Sequence, residues 1–391
     1  MNSFIDKLND VIVIGGNHHN TLGVLRALGR EGIIPHLILT STVTHSRVAR
    51  SRYIKTIKIL SSYDEILPAL KEYTSKDNVK PIVIACHDVA SSILDMNRDE
   101  LLNYFLIPCS DEQGKLTKLM NKQTMAELAI TCGLQVPQTW VVEMPNPYIE
   151  DIAYPCITKP LMSKMGSKSD IVICNNRREL EKYLTQGHCS RLQVQQFINK
   201  TFEYQLIGCS LRNGAEIIIP GVSELIRTGN GSNTGFLKYS ALNDTYHNID
   251  RCYRFIQATG YSGLFSMEFL RDEDGNDWFM EINFRNDGNG ICVTNAGVNL
   301  PLIWCLAQSS LPYENEIGKT IHNEYVLPHF AEYVLLATRK INLRELISDS
   351  RLSTSSMDYA RDDPRPTHGR WDIYKALALA FTKYVIRSFA R

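Results

Sequence analysis

Phe265-Ser-Met-Glu-Phe-Leu-Arg-Asp-Glu-Asp-Gly-Asn-Asp-Trp-Phe-Met-Glu-Ile-Asn-Phe-Arg285 decides the fold. Two apolar, aromatic-rich runs flank a polar turn at Asp274-Gly275, and Asp-Gly between such runs is a strong hairpin signal. An antiparallel hairpin closing there sets Glu268 opposite Glu281, with Cβ atoms roughly 5 Å apart. Opposed like charges destabilise a sheet, so a compensating cation is expected. Side chains alternate along a strand, so Glu281, Asn283 and Arg285 share one face. Two carboxylates and an amide oxygen on that face suit a hard divalent cation such as Mg²⁺. The bland alternative is a solvated acidic face, and the hairpin alone does not choose between them.

Working outward, Val11–Ile14 is a β-branched run followed by Gly15-Gly16. Thr21–Gly32 reads as a helix, Ile33–Leu39 as a second strand, and Pro81–Cys86 as a buried strand ending in His87-Asp88. This order predicts a doubly wound parallel sheet over residues 1–110. Ligands gather at the carboxyl ends of such strands, which puts Gly15–Asn20 and Cys86–Asp88 at one crevice. Gly15-Gly16 lacks the later glycines of a dinucleotide fingerprint, and His18 and His19 read as loop polars. Leu116–Gly133 reads as one helix stopped by Gly133, with Pro137 beyond. From Thr139 short strands alternate with helices, which predicts α+β structure. The expected division is 1–110, then 111–310 (a small lid at about 140–200 and a larger part at about 201–310), then an extension over 311–391. That extension carries a basic amphipathic helix at 371–391, expected to pack on its own protein or to lie on a membrane surface.

Bulk properties exclude several classes. The chain has 391 residues, enough for two or three subdomains. Lys+Arg 42 balances Asp+Glu 42, so no global field attracts nucleic acid. The 10 cysteines include no C-x-x-C pair, which argues against a zinc knuckle or a dithiol redox site. Met1–Asp10 is polar, so an export signal is not expected, and no apolar run nears the ~20 residues that span a bilayer. A cytoplasmic location is the expectation.

Four segments resemble, in order, the motifs of ATP-grasp ligases: Lys122-Gln-Thr-Met-Ala-Glu-Leu-Ala-Ile-Thr-Cys-Gly133-Leu-Gln-Val-Pro137, Tyr154-Pro-Cys-Ile-Thr-Lys159-Pro, Leu192-Gln-Val-Gln-Gln-Phe-Ile-Asn-Lys-Thr-Phe-Glu203, and Met280-Glu281-Ile-Asn283-Phe-Arg285. The resemblance covers roughly residues 10–310. It implies a pre-ATP-grasp α/β domain followed by a two-subdomain ATP-grasp fold that holds ATP between its parts. The activity implied is joining a small-molecule carboxylate, amino-acid-like, to an amine through an acyl phosphate. Lys122 and Lys159 resemble the phosphate-contacting lysines, with Lys118 a rival to Lys122. Lys168, in Ser163–Lys168, matches the phosphate-covering loop. Gln196, Phe197 and Ile198 would line adenine, and Glu203 would take the ribose hydroxyls. Glu268, Glu281 and Asn283 become the ligands for Mg²⁺, with Mn²⁺ as a substitute.

Some similar ligases place a catalytic arginine two residues before the first metal ligand. Ser266 stands there, which shifts that role to Arg285. Lys238, after the glycine-rich Gly229–Gly235, resembles a mobile catalytic loop. Gly29–Ile33, the Glu-Ile-Asn-Phe-Arg-Asn run and Asp362–Pro366 look most like the D-aspartate ligase type. Alternatives are an ATP-grasp kinase or carboxylase, and a non-catalytic nucleotide-binding regulator. The acid, the amine and a homodimeric state stay open.

Overall fold

The computed structural model describes residues 7–41, 46–74, 79–143, 150–159, 171–185, 191–229, 232–246, 248–367 and 378. The first sheet contains β1 (Val11–Gly16), β2 (His36–Thr40), β3 (Ile57–Leu60) and β4 (Ile82–Ala85), all parallel, in the order β3-β2-β1-β4. β1 explains the arrangement. Val11 and Val13 enter one core with Leu22, Leu25 and Leu28, and Ile12 and Ile14 enter another with Ile66, Leu70 and Leu94. A strand buried on both faces needs apolar residues at every position, and Val-Ile-Val-Ile supplies them. Gly15 follows because Thr21 packs against it: a Cβ there would lie 2.1 Å from the Thr21 hydroxyl. The glycine serves helix packing, in keeping with the missing dinucleotide fingerprint.

A small antiparallel sheet contains β5 (Thr139–Glu143), β6 (Cys156–Lys159), β7 (Ile173–Cys174) and β8 (Arg191–Gln196), in the order β5-β8-β6-β7. It has its own core around Val142, Cys156, Leu180 and Val194. The large sheet is built from β9 (Lys200–Leu211), β10 (Glu216–Ile218), β11 (Gly221–Gly229), β12 (Ser232–Ala241), β13 (Gly263–Asp272), β14 (Asp277–Asn283), β15 (Glu324–Leu327) and β16 (Ser355–Ser356). Its order is β14-β13-β9-β11-β12-β15-β16, with β10 on β9. The apolar helices Gly290–Ala296 and Leu300–Gln308 fill the space between the first and large sheets, so Val13, Trp304 and Ile207 share one continuous core. That core fixes the loops after β1 and β4 over the end of the β13–β14 hairpin. No single described helix is long and apolar enough to cross a membrane.

Three expectations need correction. The helix expected over Leu116–Gly133 is two, Lys115–Leu119 and Lys122–Thr131. Asn121 breaks it by accepting from the backbone N–H groups of Gln123 and Thr124 at 3.0 and 3.3 Å, an N-cap. Lys118 and Lys122 therefore do not share one helix. A boundary at 310 cuts the large sheet, because β15 pairs with β12 through Leu237↔Val326. Lys238 lies inside strand β12, between Glu224 of β11 and Tyr325 of β15, and not in a mobile loop. Pairing on both sides, and a Glu224 carboxylate 3.7 Å from its Nζ, hold it there. The amphipathic helix expected at 371–391 lies, apart from Ala378, outside the described residues.

Candidate active site

The hairpin brings Glu268 opposite Glu281, by a route the sequence does not show. The connection is Glu273–Gly275, with Gly275 at φ +81, a three-residue turn where two were expected. Its register pairs Arg271 with Asp277 and Phe269 with Phe279, one residue out of step with the expected pairing. The strand then shifts, so that Glu268 meets Glu281 and Met280 is the extra residue of a β-bulge. The bulge puts Met280 and Glu281 side by side along one cavity wall.

That cavity, about 370 Å³, lies between the lid and the large sheet. Lys122 and Lys159 stand on one side, and the strand connection Gln196-Phe197-Ile198 and Glu203 line another. Apolar walls come from Val136, Ile157, Leu225 and Met280. Lys118 does not line it. Lys159 Nζ donates to Gln195 Oε1 at 2.8 Å, Gln196 Oε1 accepts from the Gln138 N–H at 3.2 Å, and Glu203 pairs with Lys200. A second chamber of about 800 Å³ lies between the first sheet's loops and the hairpin. Gly16–His18 and Cys86–Asp88 both line it, which realises the crevice expected from the strand order. The two cavities share Gln205, Glu268, Glu281 and Asn289.

The electrostatics of the junction run in two opposite senses. Burial pushes Glu268 up to about 8, with Glu281 and Asp287 adding repulsion. Its Oε1 accepts from Gln205 Nε2 at 3.1 Å and from Asn283 Nδ2 at 3.2 Å. Burial likewise lowers Lys159 to about 8, with Lys122 adding repulsion and the two glutamates opposing it. One wall thus favours a cation and the facing wall an anion. Hard oxygen donors at Glu268, Glu281 and Asn283 fit Mg²⁺ or Mn²⁺, and the lysine pair fits polyphosphate.

Arg285 is held by four acceptors. Nε donates to Asp88 Oδ1 at 2.7 Å, Nη2 to Asn283 Oδ1 at 2.9 Å and Nη1 to the Asn286 carbonyl at 3.2 Å, with Asp287 Oδ2 3.5 Å away. It shares one side of the strand with Asn283, as the alternation requires. Lys238 lines neither cavity. Lys168 lies outside the described residues. Sequence reasoning missed Gln205, Asp287, Asn289 and Met280. Gln205 sits two residues beyond Glu203 on β9, and that alternation was the available signal.

No family model matches the sequence. A D-aspartate ligase of Enterococcus faecium is 22% identical over 332 residues, covering 77% of this chain and 76% of that protein. The N5-carboxyaminoimidazole synthetase of Staphylococcus aureus, solved with ADP, matches with a TM-score of 0.61 at 18% identity, over 78% of this chain and 79% of that one. An L-amino acid ligase from Bacillus licheniformis matches with a TM-score of 0.57 at 15% identity, over 80% and 75%. Together with the motif order, these likenesses show that the chain has the ATP-grasp fold. Two curated proteins that it resembles are themselves ligases, this D-aspartate ligase and a D-alanine–D-alanine ligase of Helicobacter hepaticus, which is 29% identical over 119 residues, 30% of this chain and 33% of that protein.

Proposed function

We propose that the chain activates an amino-acid-like carboxylate with ATP and joins it to an amine, releasing ADP and phosphate. The observation that carries this reading is the junction itself: a nucleotide-sized cavity and a polar second chamber meet at the Glu268–Glu281 pair. Lys122 and Lys159 hold the phosphates from one side, Gln196–Ile198 and Met280 enclose the base, and Glu203 takes the ribose. Glu268, Glu281 and Asn283 hold Mg²⁺, which when bound neutralises phosphate charge and aligns the transferring group. A carboxylate oxygen of the acid bonds to the γ-phosphorus as the bond to the ADP oxygen breaks. The amine nitrogen then bonds to the acyl carbon, phosphate leaves, and the amine loses a proton. Arg285 steadies charge on the transferring group from the second-chamber side.

The match to a D-aspartate ligase supports an amino-acid acid. The described cysteines are buried free thiols, which suits the reducing cytoplasm. The test is ADP release from Mg·ATP with panels of acids and amines. Release that needs both reactants supports the ligase. Phosphorylation of an acid that no amine consumes contradicts it.

A further inference from the structure

With the nucleotide in the first cavity, the second receives the part of the acid beyond its reacting carboxylate. Many polar side chains lining this chamber are already engaged by the protein. Ser61 Oγ donates to Glu65 Oε1 at 2.7 Å, and Ser62 Oγ accepts from the Asp64 N–H at 3.3 Å. His87 Nδ1 accepts from the Ala90 N–H at 3.0 Å, and its Nε2 meets Thr40 Oγ1 at 3.2 Å. Arg285 lies between Asp88, at 2.7 Å, and Asp287, at 3.5 Å. Asn17 and His18, on the loop after β1, are placed differently.

Asn17 Oδ1 accepts from one segment three times: from the Ser46 hydroxyl at 2.8 Å, the Arg47 N–H at 3.0 Å and the Val48 N–H at 3.3 Å. A backbone N–H can meet only an acceptor, so the amide cannot be turned round. Nδ2 is thereby left as a donor on a residue that lines the chamber, with no acceptor among the described residues. The segment is anchored at its far end by buried Asp363, which accepts from Ser51 Oγ at 2.8 Å and the Arg52 N–H at 3.0 Å and pairs with Arg26. The Asp362–Pro366 motif thus holds Asn17 in place before a substrate arrives, which lowers the cost of binding. His18 lines the chamber beside it. Its Nδ1 accepts from the Asn20 N–H at 3.3 Å, so the neutral ring carries its proton on Nε2. Two neighbouring uncharged N–H donors suit an oxygen acceptor.

We propose that Asn17 binds an oxygen of the acid substrate other than the carboxylate being activated, so that the enzyme selects acids carrying a second oxygen function, a carboxylate or a carboxamide. This rests on the ligase reading, which leaves the rest of the acid open. A site built to hydrogen-bond a substrate group rejects the analogue that lacks it, because the buried donor is then left unpaired.

The test uses hydroxylamine as the amine, so that acyl phosphate is trapped as a hydroxamate. Acids of matched length with and without the second function are compared: succinate and succinamate with butyrate, and aspartate and asparagine with 2-aminobutyrate. The wild type is expected to show a KM about 10-fold or more lower for acids with the second function. Which of succinate and succinamate is preferred tells a carboxylate from a neutral carbonyl, and either supports the contact. Asn17→Asp keeps the three bonds to residues 46–48, because a carboxylate oxygen accepts them too, but turns the remaining donor into an acceptor. It is expected to raise KM for the bifunctional acids by about 10- to 100-fold. KM for butyrate and 2-aminobutyrate should change far less, and Mg·ADP should still raise the unfolding temperature as in the wild type. If Asn17 only holds residues 46–48, Asn17→Asp matches the wild type and Asn17→Ala alone is impaired, which overturns the inference while the ligase stands. A wild type that uses butyrate as well as succinate overturns it too. No hydroxamate from any acid removes the ligase reading, and the inference falls with it.

Discussion

Glu281→Gln is expected to lower ATP turnover by about 1,000-fold or more, roughly 4 kcal/mol of transition-state stabilisation. The substitution keeps the size of the side chain and removes one carboxylate charge from the junction of the two cavities. It also relieves Glu268. That residue's folded pKa, about 8, lies above the ordinary carboxylate value of 4.5. An acid with a raised folded pKa destabilises the fold as pH rises through that window, because the unfolded chain ionises more readily. Burial is the larger cause and persists in the variant, whereas the repulsion from Glu281 does not. Between about pH 5 and 8, metal-free Glu281→Gln should therefore lose less stability than the wild type, by on the order of 1 kcal/mol. Thermal unfolding across that range, with circular dichroism to confirm folding, checks the stability arm. Wild-type turnover in a folded variant would remove Glu281 from the metal site.

Arg285→Lys separates phosphate chemistry from metal binding. Lysine keeps a charge beside buried Asp287, so the fold is spared an uncompensated carboxylate. It loses the fork that joins Asp88 to Asn283. Turnover is expected to fall about 100-fold, with affinity for Mg·ADP within a few-fold of wild type. Nucleotide-induced thermal stabilisation supplies the second reading. If nucleotide affinity falls in step with turnover, Arg285 acts by holding Asn283 in the metal site and not on the reacting phosphate.

The hairpin shows both how far local sequence reaches and where it stops. Glu268 does face Glu281, yet the reasoning assumed a two-residue turn, and the Met280 bulge restored the register that the longer turn displaced. A bulge is set by packing on both faces of a strand, which alternation along one strand does not reveal. Asn121 illustrates a different limit. It interrupts a run of helix-forming residues, and only its side-chain cap, formed once the chain turns, separates Lys118 from Lys122. Lys238 was read as mobile because glycines precede it, but its position is decided by β15, about ninety residues later in the chain. The parallel sheet was legible because Val11–Ile14 must be buried on both faces. The contact between Asp88 and Arg285 was not, because its partners stand 197 residues apart and meet only in the folded chain.

Acid activation by phosphoryl transfer is the central claim, and oxygen tracing tests it most directly. An acid substrate labelled with ¹⁸O in its carboxylate is incubated with Mg·ATP and the amine, and the released phosphate is examined by mass spectrometry or ³¹P NMR. Attack of the carboxylate on the γ-phosphorus predicts one ¹⁸O atom in each phosphate formed with the amide. Amide formed with unlabelled phosphate would contradict it.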